Sequence, residues 1–221
     1  MTYTPEPEKI VAAAARLCYS PLTGTELLEH LSDEQVRELL ARLSSQGHLS
    51  PFEHASFTFA IDGVSRALSH QLVRHRIASF SQKSQRYVAE DGFAYITPAS
   101  IALKEEHLHA FEQLMCEITR QYTAFLKDGI PAEDARYILP NATTTNLVLT
   151  MNARSLLNFF RLRCCKRAQD EIRQLAQQML IEVKKVAPAI FAKSGPTCVS
   201  EGVCYEGNLS CGQTQAPVRS R

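Results

Sequence analysis

The pattern that most constrains the fold of this chain is a long helical one. From Ser100 to Leu126 apolar residues recur with a period near 3.6, which predicts one long helix with a buried face. Ser32 is a plausible N-cap for a second helix, because polar side chains at that position accept backbone hydrogen bonds. Helical spacing is found over 7–18, 33–43, 64–75, 131–137, 153–160 and 168–186.

Strand patterns are fewer and shorter. The segment 56–62 alternates apolar and polar residues before Gly63, where we expect it to end, and 142–152 is rich in β-branched residues. We expect a further short strand over 93–98 and an ordered loop over 77–87, where Ser and Gln are frequent. Long helices beside a few strands predict an α+β fold.

The overall charge gives no sign of a polyanionic or membrane partner. Lys and Arg total 24 against 23 Asp and Glu, so any anion binding must come from a local cluster. The first ten residues lack the features of a signal peptide, and no run of about 18 apolar residues is present to span a membrane. Seven cysteines without an export signal favour reduced thiols, so we expect a cytoplasmic protein.

One segment, residues 71–87, concentrates cationic side chains with Ser and Gln between them. Guanidinium groups can bind phosphate through two parallel hydrogen bonds, and the amides and hydroxyls suit a base or a sugar. On composition alone, a solvated basic helix end explains the cluster equally well. Neither a GxGxxG turn nor a phosphate-binding GxxxxGK[ST] loop is present in the chain.

The spacing within this segment is more specific than its composition. It follows the order Arg-His-Arg, two residues, Ser, four residues, Ser, one residue and Arg. Each fixed position is met, by Arg74, His75, Arg76, Ser79, Ser84 and Arg86. In this spacing the chain resembles the flavin-dependent thymidylate synthases. The resemblance covers roughly residues 5–190, with further matching segments at 50–59, 136–140, 151–163 and 168–173.

The resemblance implies an enzyme, a methyltransferase that converts dUMP to dTMP. It implies FAD as cofactor, NADPH as its reductant and 5,10-methylenetetrahydrofolate as carbon donor, with tetrahydrofolate as co-product. It also implies a small, mostly antiparallel sheet packed with long helices, and a homotetramer with active sites at subunit interfaces. We expect residues 1–193 to form the catalytic domain and 194–221 a Cys- and Gly-rich tail outside the resemblance. The partners would be small molecules, with no nucleic acid or membrane.

The resemblance further implies roles for individual residues. Arg163 matches the catalytic arginine held against the pyrimidine, where it polarises the ring. The residues implied to bind dUMP are Gln71, Arg74, Gln82, Lys83, Ser84, Gln85, Arg86, Arg136 and Arg163. Those implied to bind FAD are His54, Ser56, Arg74, His75, Arg76, Gln82, Asn152, Arg154 and Asn158. The chain departs from the family pattern at Gln82, where some members have Glu, and at Asp170, where Trp is frequent; neither change removes a group that the chemistry needs.

Helical geometry supports a site around residues 152–163 independently. Arg154 and Asn158 are four residues apart and share a helix face, whereas Arg163 would lie on the opposite side of a continuous helix. Polar residues on both sides would suit a helix that lies between two sites or two subunits. The alternative is a helix that stops near Phe160 and turns.

A nucleophilic role for Ser84 competes with a binding role. Serine needs an adjacent base to attack, and no base is evident by spacing, although His75 or His54 could fold nearby. Hydride transfer from a flavin needs no protein nucleophile. We therefore assign Ser84 to binding.

Metal binding is a separate question. Cys165, Cys198, Cys204 and Cys211 are zinc candidates, since four thiolates can bind zinc tetrahedrally. The two-residue gap typical of zinc ribbons is absent, and free thiols in a mobile tail are the alternative. A structural or flavin-edge role is favoured over a metal pair for His48 and His54. Cys18 and Cys116 lie in helical patterns and are expected in the core.

Two other classes of function remain open from the residues. The first is a non-catalytic RNA- or nucleotide-binding protein that uses the basic segment as a phosphate clamp. Only Phe80 and Tyr87 are aromatic near that segment, which argues against a base-stacking surface. The second is a scaffold protein with a metal-bound tail and no catalysis.

Overall fold

Helices and strands both occur along the chain, which confirms the predicted α+β class. The computed structural model describes residues 1–213. The strands are β1 (Thr2–Tyr3), β2 (Ser56–Ser65), β3 (Ser79–Gln82) and β4 (Thr144–Asn152). The helices are α1 (Pro7–Leu17), α2 (Gly24–His30), α3 (Asp33–Gln46), α4 (Arg66–Leu72), α5 (Ala99–Ala102), α6 (Glu105–Lys127), α7 (Ala132–Ala135), α8 (Ala153–Arg163), α9 (Asp170–Val186) and α10 (Thr197–Ser200). Short 3₁₀ helices occupy Ser50–His54, Arg136–Ile138 and Gly207–Leu209.

The four strands form one sheet in the order β1–β2–β4–β3. β1 and β2 are antiparallel, with Thr2 opposite Thr58. Strand β4 also runs antiparallel to β2. The hydroxyls of Thr58 and Thr150 are hydrogen-bonded, and further along β2 the N–H of Gly63 bonds Asn146, which precedes Thr150 in β4. Alternate residues of β2 and β4 are buried, as expected for a sheet with one face on a core. The predicted small antiparallel sheet is therefore present.

The chain forms two compact units. The first unit comprises residues 1–59, 75–79 and 150 onward, and the second comprises 60–74 and 80–149. In the first, Phe57 and Phe160 pack against Phe191 with ring centroids 5.5 and 5.9 Å apart. In the second, the Tyr122 hydroxyl accepts the backbone N–H of Glu90 at 3.0 Å. Each unit thus has a core of its own.

Hydrogen bonds between distant parts of the chain close the first unit. Thr4 donates its backbone N–H to the carbonyl of Ser56, which continues the pairing of β1 beyond Tyr3. The Glu8 carboxylate accepts the backbone N–H groups of Ala189 and Ile190 at 2.5 and 3.2 Å. The beginning of the chain is therefore fastened to the segment that follows α9.

The start of α3 follows the predicted capping pattern. The Ser32 hydroxyl accepts the backbone N–H of Gln35 at 3.3 Å, and the Gln35 side chain accepts the N–H of Ser32 at 3.0 Å. This reciprocal arrangement satisfies two backbone donors that the first helical turn leaves free. The helix ends at Gly47, whose φ of 71° is a left-handed conformation that glycine adopts without a steric penalty.

Several predicted boundaries were wrong. Gly63 does not end β2, because its N–H bonds the Asn146 side chain and the strand continues to Ser65. The predicted single helix over 100–126 is two helices, since Lys104 has an extended backbone between α5 and α6. The apolar spacing resumes after Lys104, so the periodicity of the sequence does not reveal a break of one extended residue.

Other differences concern short elements. The segment expected to be a loop contains β3, and the strand expected over 93–98 is reduced to one bridge, between Tyr95 and Thr143. Helix α2 was not predicted; it begins with a capping box formed by Thr23 and Glu26. Elements this short are set by pairing with distant segments or by caps, for which their own periodicity gives little signal.

The core prediction for Cys18 and Cys116 was wrong, since both are exposed. Helix α1 ends at Leu17, which leaves Cys18 at the cap, and α6 fully buries only Met115 and Tyr122. Because successive helical residues point about 100° apart, Cys116 turns away from the buried direction of Met115. Among residues 1–213, no helix has the length and apolarity needed to cross a bilayer.

Candidate active site

Helix α8 carries several of the predicted site residues, and its start is fixed by one of them. The Asn152 side chain accepts the backbone N–H of Ser155 at 2.9 Å and caps the helix. The helix then continues to Arg163, so the alternative in which it stops near Phe160 was wrong. At 100° per residue, Arg163 therefore lies about half a turn around the axis from Arg154.

A hydrogen bond joins Arg163, the predicted catalytic arginine, to His75 of the Arg-His-Arg motif. Arg163 donates its Nε–H to Nε2 of His75 at 3.1 Å. Because a guanidinium only donates, Nε2 must be the unprotonated nitrogen of a neutral imidazole. Burial, and then the positive charge of Arg163, lowers the pKa of His75 to about 4. The Phe159 ring meets the imidazole edge-on at 5.0 Å and limits its rotation.

Arg163 keeps its charge in this arrangement. Burial lowers the pKa of its guanidinium, but an arginine side chain stays protonated in proteins. Within the described part of the chain no carboxylate forms an ion pair with it. The segment after Arg74 and the end of α8 thus meet at one point, where Arg163 is a half-buried cation with no counter-ion among residues 1–213.

The other flavin-site candidates of the first unit are more exposed. Arg154 pairs with Glu53 at 2.5 Å, beside the exposed His54. Asn158 and Arg76 are also exposed, and neither side chain has a hydrogen bond or an ion pair to another residue in the range 1–213. The backbone N–H of Ser56 donates to the Thr4 hydroxyl at 2.9 Å, which orders the start of β2.

In the second unit, the loop after β3 is anchored at its start. Nε2 of Gln82 donates to the hydroxyls of Ser69 and Thr145 at 3.0 and 3.2 Å. Arg66 donates to the Lys83 carbonyl at 2.7 Å, and the Lys83 ammonium pairs with the buried Glu90 at 2.9 Å. These contacts fix the loop that the resemblance assigns to dUMP.

The next residues of this loop include Arg86, which contacts the same acid as Arg136 of the 3₁₀ helix Arg136–Ile138. Arg86 pairs with the Glu133 carboxylate, and Arg136 donates its Nε–H to the Glu133 carbonyl at 3.1 Å. The structure therefore brings together Arg86 and Arg136, which are 50 positions apart in the sequence. Ser84 accepts the backbone N–H of Arg86 at 3.1 Å, and no base bonds its hydroxyl within the described residues.

Two features of the second unit suit a polar ligand. Nε2 of Gln85 is buried and has no hydrogen-bond partner among residues 1–213, which is costly unless a ligand or water satisfies it. Gln71 lies at the end of α4 and Arg74 just after it, and neither side chain is bonded to another described residue. These groups remain available as donors.

Sequence reasoning missed the acids that hold the predicted cations. Glu133, Glu90 and Glu53 pair with Arg86, Lys83 and Arg154 respectively. Only Glu133 had a local signal, since it lies three residues before Arg136 in a predicted helical segment. The other pairs depend on tertiary folding.

The predicted zinc candidates gather in the first unit. Burial, followed by the nearby thiols of Cys165, Cys204 and Cys211, raises the pKa of Cys198. Over residues 1–213, however, no group of three or more His, Cys, Asp or Glu side chains is arranged to hold a metal ion. The ion pairs Arg161–Glu201 and Arg167–Glu206 place the described part of the tail against α8 and the α8–α9 connection. Residues 214–221 of the predicted tail lie outside the described residues.

Comparison with known proteins identifies the family of the chain. The family model described as thymidylate synthase complementing protein matches residues 1–189. Proteins named flavin-dependent thymidylate synthase from Geobacter sulfurreducens and Clostridium tetani are 54% and 51% identical to this chain, each alignment covering 96% of it and 92% of the relative. One of the same name from Nitratidesulfovibrio vulgaris is 46% identical over 96% of this chain and 93% of its own length. The chain therefore belongs to the flavin-dependent thymidylate synthase family.

Proposed function

We propose that this chain catalyses the reductive methylation of dUMP to dTMP, with 5,10-methylenetetrahydrofolate as carbon donor and FAD, reduced by NADPH, as cofactor. The observation that carries the proposal is the 54% identity to a protein named flavin-dependent thymidylate synthase, over almost the whole of both chains. The Arg163–His75 contact supports it, because it links the two segments whose spacing resembles the family.

The residues of the first unit fit a phosphate-bearing flavin. His75 is neutral, and the N–H on its Nδ1 has no partner within residues 1–213, so it can donate to an acceptor. Arg76 provides an exposed cation that pairs with no carboxylate of the described residues, and Asn158 provides an exposed amide. We assign flavin binding to these three residues together with His54, Ser56, Asn152 and Arg154. When bound, reduced flavin supplies the hydride for the pyrimidine.

The second unit fits the nucleotide. We assign the dUMP phosphate to Arg86 and Arg136, whose shared contacts with Glu133 hold them together. The buried Nε2 of Gln85, which bonds no other group in the described part of the chain, can donate to a sugar or base oxygen. Gln71, Arg74, Gln82, Lys83 and Ser84 complete the proposed binding set. Ser84 binds rather than attacks, because no base bonds its hydroxyl in the described chain.

Arg163 is assigned the catalytic role. Hydride addition to C6 of the pyrimidine builds negative charge on the ring carbonyls, and a nearby guanidinium stabilises this charge more in the transition state than in the ground state. The absence of an acidic partner for Arg163 within residues 1–213 supports this role, because its charge is not already neutralised. Partial burial strengthens the effect, since solvent screens it less.

We propose that the enzyme is a homotetramer whose active sites lie at subunit interfaces. Helix α8 supports this, because it continues to Arg163 and so carries polar site candidates on opposite sides. Arg154 and Asn158 on one side are exposed, which leaves them available to a second subunit.

The test is anaerobic incubation of the purified protein with dUMP, methylenetetrahydrofolate, FAD and NADPH, with dTMP measured by chromatography. We expect dTMP and tetrahydrofolate in equal amounts, and none when dUMP or methylenetetrahydrofolate is omitted. A yellow protein that forms no dTMP under these conditions would contradict the proposal. Salt-sensitive binding of RNA by a colourless protein would instead favour the non-catalytic alternative.

A further inference from the structure

The way in which Arg163 is held determines which of its donors remain available. A guanidinium has five N–H groups in a rigid planar fork, one on Nε and four on the terminal nitrogens. His75 accepts the Nε–H at 3.1 Å. The edge that combines Nε with one terminal nitrogen is therefore engaged, while the edge formed by the two terminal nitrogens is left for another acceptor.

We infer that His75 is a positioning residue for Arg163: its Nε2 fixes the guanidinium plane and directs the terminal-nitrogen edge to the pyrimidine. The inference rests on the proposed function and deepens it, because it gives the histidine of the motif a role in turnover besides flavin binding. His75 acts through Arg163 and needs no contact with the reacting atoms for this role.

The chemistry of the partner explains why a histidine suits this position. A carboxylate would hold a guanidinium equally well, as Glu53 holds Arg154, but it would neutralise the positive charge. A neutral imidazole supplies the acceptor without that charge. Arg163 thus combines a fixed orientation with an intact charge, which is what stabilisation of a developing anion needs.

The surroundings of His75 keep it in the accepting form. The Phe159 ring packs against its edge at 5.0 Å, and Arg163 is the one charged group of the described chain whose field lowers its pKa, after burial. Because the pKa falls from 6.5 to about 4, the neutral form predominates at neutral pH. Acidification toward pH 4 would place a proton on Nε2 and replace the hydrogen bond with repulsion.

This linkage has a defined sign for stability. Between about pH 6.5 and 4 the unfolded histidine binds a proton that the folded one does not. The contribution of His75 to the free energy of unfolding is therefore fully present above pH 6.5 and is lost as the pH falls from 6.5 to about 4. Since Nε2 accepts, the proton of neutral His75 lies on Nδ1.

Kinetics of a double-mutant cycle tests the positioning role. His75→Phe keeps a ring beside Phe159 but removes the acceptor, and we expect kcat to fall by about tenfold to a hundredfold. His75→Gln places an amide oxygen near the position of Nε2, and its kcat should exceed that of His75→Phe. In an Arg163→Ala background, His75→Phe should cause little further loss. Independent, multiplying effects on kcat, or equal kcat for the two histidine variants, would overturn the inference.

A second measurement does not depend on turnover, and so separates this inference from the proposed function. In FAD-loaded protein labelled with ¹⁵N at histidine, His75 should show a protonated Nδ1 and an unprotonated Nε2 at pH 7. Arg163→Ala should raise the pKa of His75, whereas the control Arg161→Ala, which removes the neighbour paired with Glu201, should not. A cationic His75 at pH 7, or a proton on Nε2, would overturn the inference even if the wild type forms dTMP. If the wild type forms no dTMP, the proposed function fails while the spectra still decide the His75–Arg163 contact.

Discussion

Two cations assigned to dUMP in the second unit and the arginine assigned to catalysis in the first are held in different ways. In the second unit, Lys83 and Arg86 are each paired with a carboxylate, from Glu90 and Glu133. In the first, Arg163 bonds only the neutral imidazole of His75 among the described side chains. A paired cation is ordered before its ligand arrives but binds an anion more weakly, since the acid competes. An unpaired cation keeps its full field for the reaction. This difference favours a binding role for Lys83 and Arg86 and a catalytic role for Arg163.

The largest expected effect tests Arg163, which pairs with no carboxylate among the described residues. Arg163→Ala removes the guanidinium assigned to transition-state charge, and we expect kcat to fall by about 10²–10³. Flavin absorbance of the purified protein should be retained, because the assigned flavin contacts lie elsewhere. Full turnover in this variant, measured as dTMP formed per enzyme, would show that the assigned role is wrong.

The next effect concerns the paired arginine. Arg86→Ala removes a charged hydrogen-bond donor assigned to the dUMP phosphate, so Kd for dUMP should rise by about tenfold to a hundredfold. Equilibrium binding to the flavin-loaded protein measures it. Arg120→Ala is a matched control, because Arg120 lies in the same unit and is also paired, with Glu117. Equal effects of the two variants would remove the assignment of Arg86.

A smaller effect distinguishes binding from attack at Ser84. If this hydroxyl only binds, Ser84→Ala should lower kcat/KM by no more than about tenfold, the worth of one neutral hydrogen bond. Loss of a serine nucleophile would lower kcat by about 10⁶. A fall of that size in single-turnover measurements would contradict the binding role.

The smallest effect tests competition by the acid itself. Glu133→Gln removes the negative charge beside Arg86 while leaving the backbone carbonyl that Arg136 uses. We expect dUMP to bind more tightly, by up to about fivefold, since an exposed ion pair contributes little. Weaker binding would show that Glu133 acts mainly by orienting Arg86.

The sequence predicted the helices and the cations better than it predicted the contacts between them. Fixed spacing selected Arg74, His75 and Arg86 as site candidates. Apolar periodicity located α3, α8 and α9, because each buries one face. The acid partners were missed because Arg86 and Glu133 are 47 residues apart and Arg154 and Glu53 are 101 apart. Separations of this size follow from the packing of whole elements, which local patterns do not encode.

The site was predicted to a similar extent. The resemblance implied site roles for both His75 and Arg163, and the structure joins these two side chains by a hydrogen bond. The neutral state of that histidine was not expected. It depends on burial and on the field of Arg163, both of which require the folded structure.

The two hydrogen bonds that the Glu8 carboxylate accepts from the backbone of Ala189 and Ile190 bear on the order of folding during synthesis. The first unit contains residues from before 60 and from after 149. The second unit comprises 60–149 except for 75–79, which belong to the first. Because translation delivers the amino end first, we expect the second unit to acquire structure on the ribosome while Glu8 still lacks its partners. Nascent chains stalled before residue 189 would then leave the first unit incomplete, and proteases would digest it first.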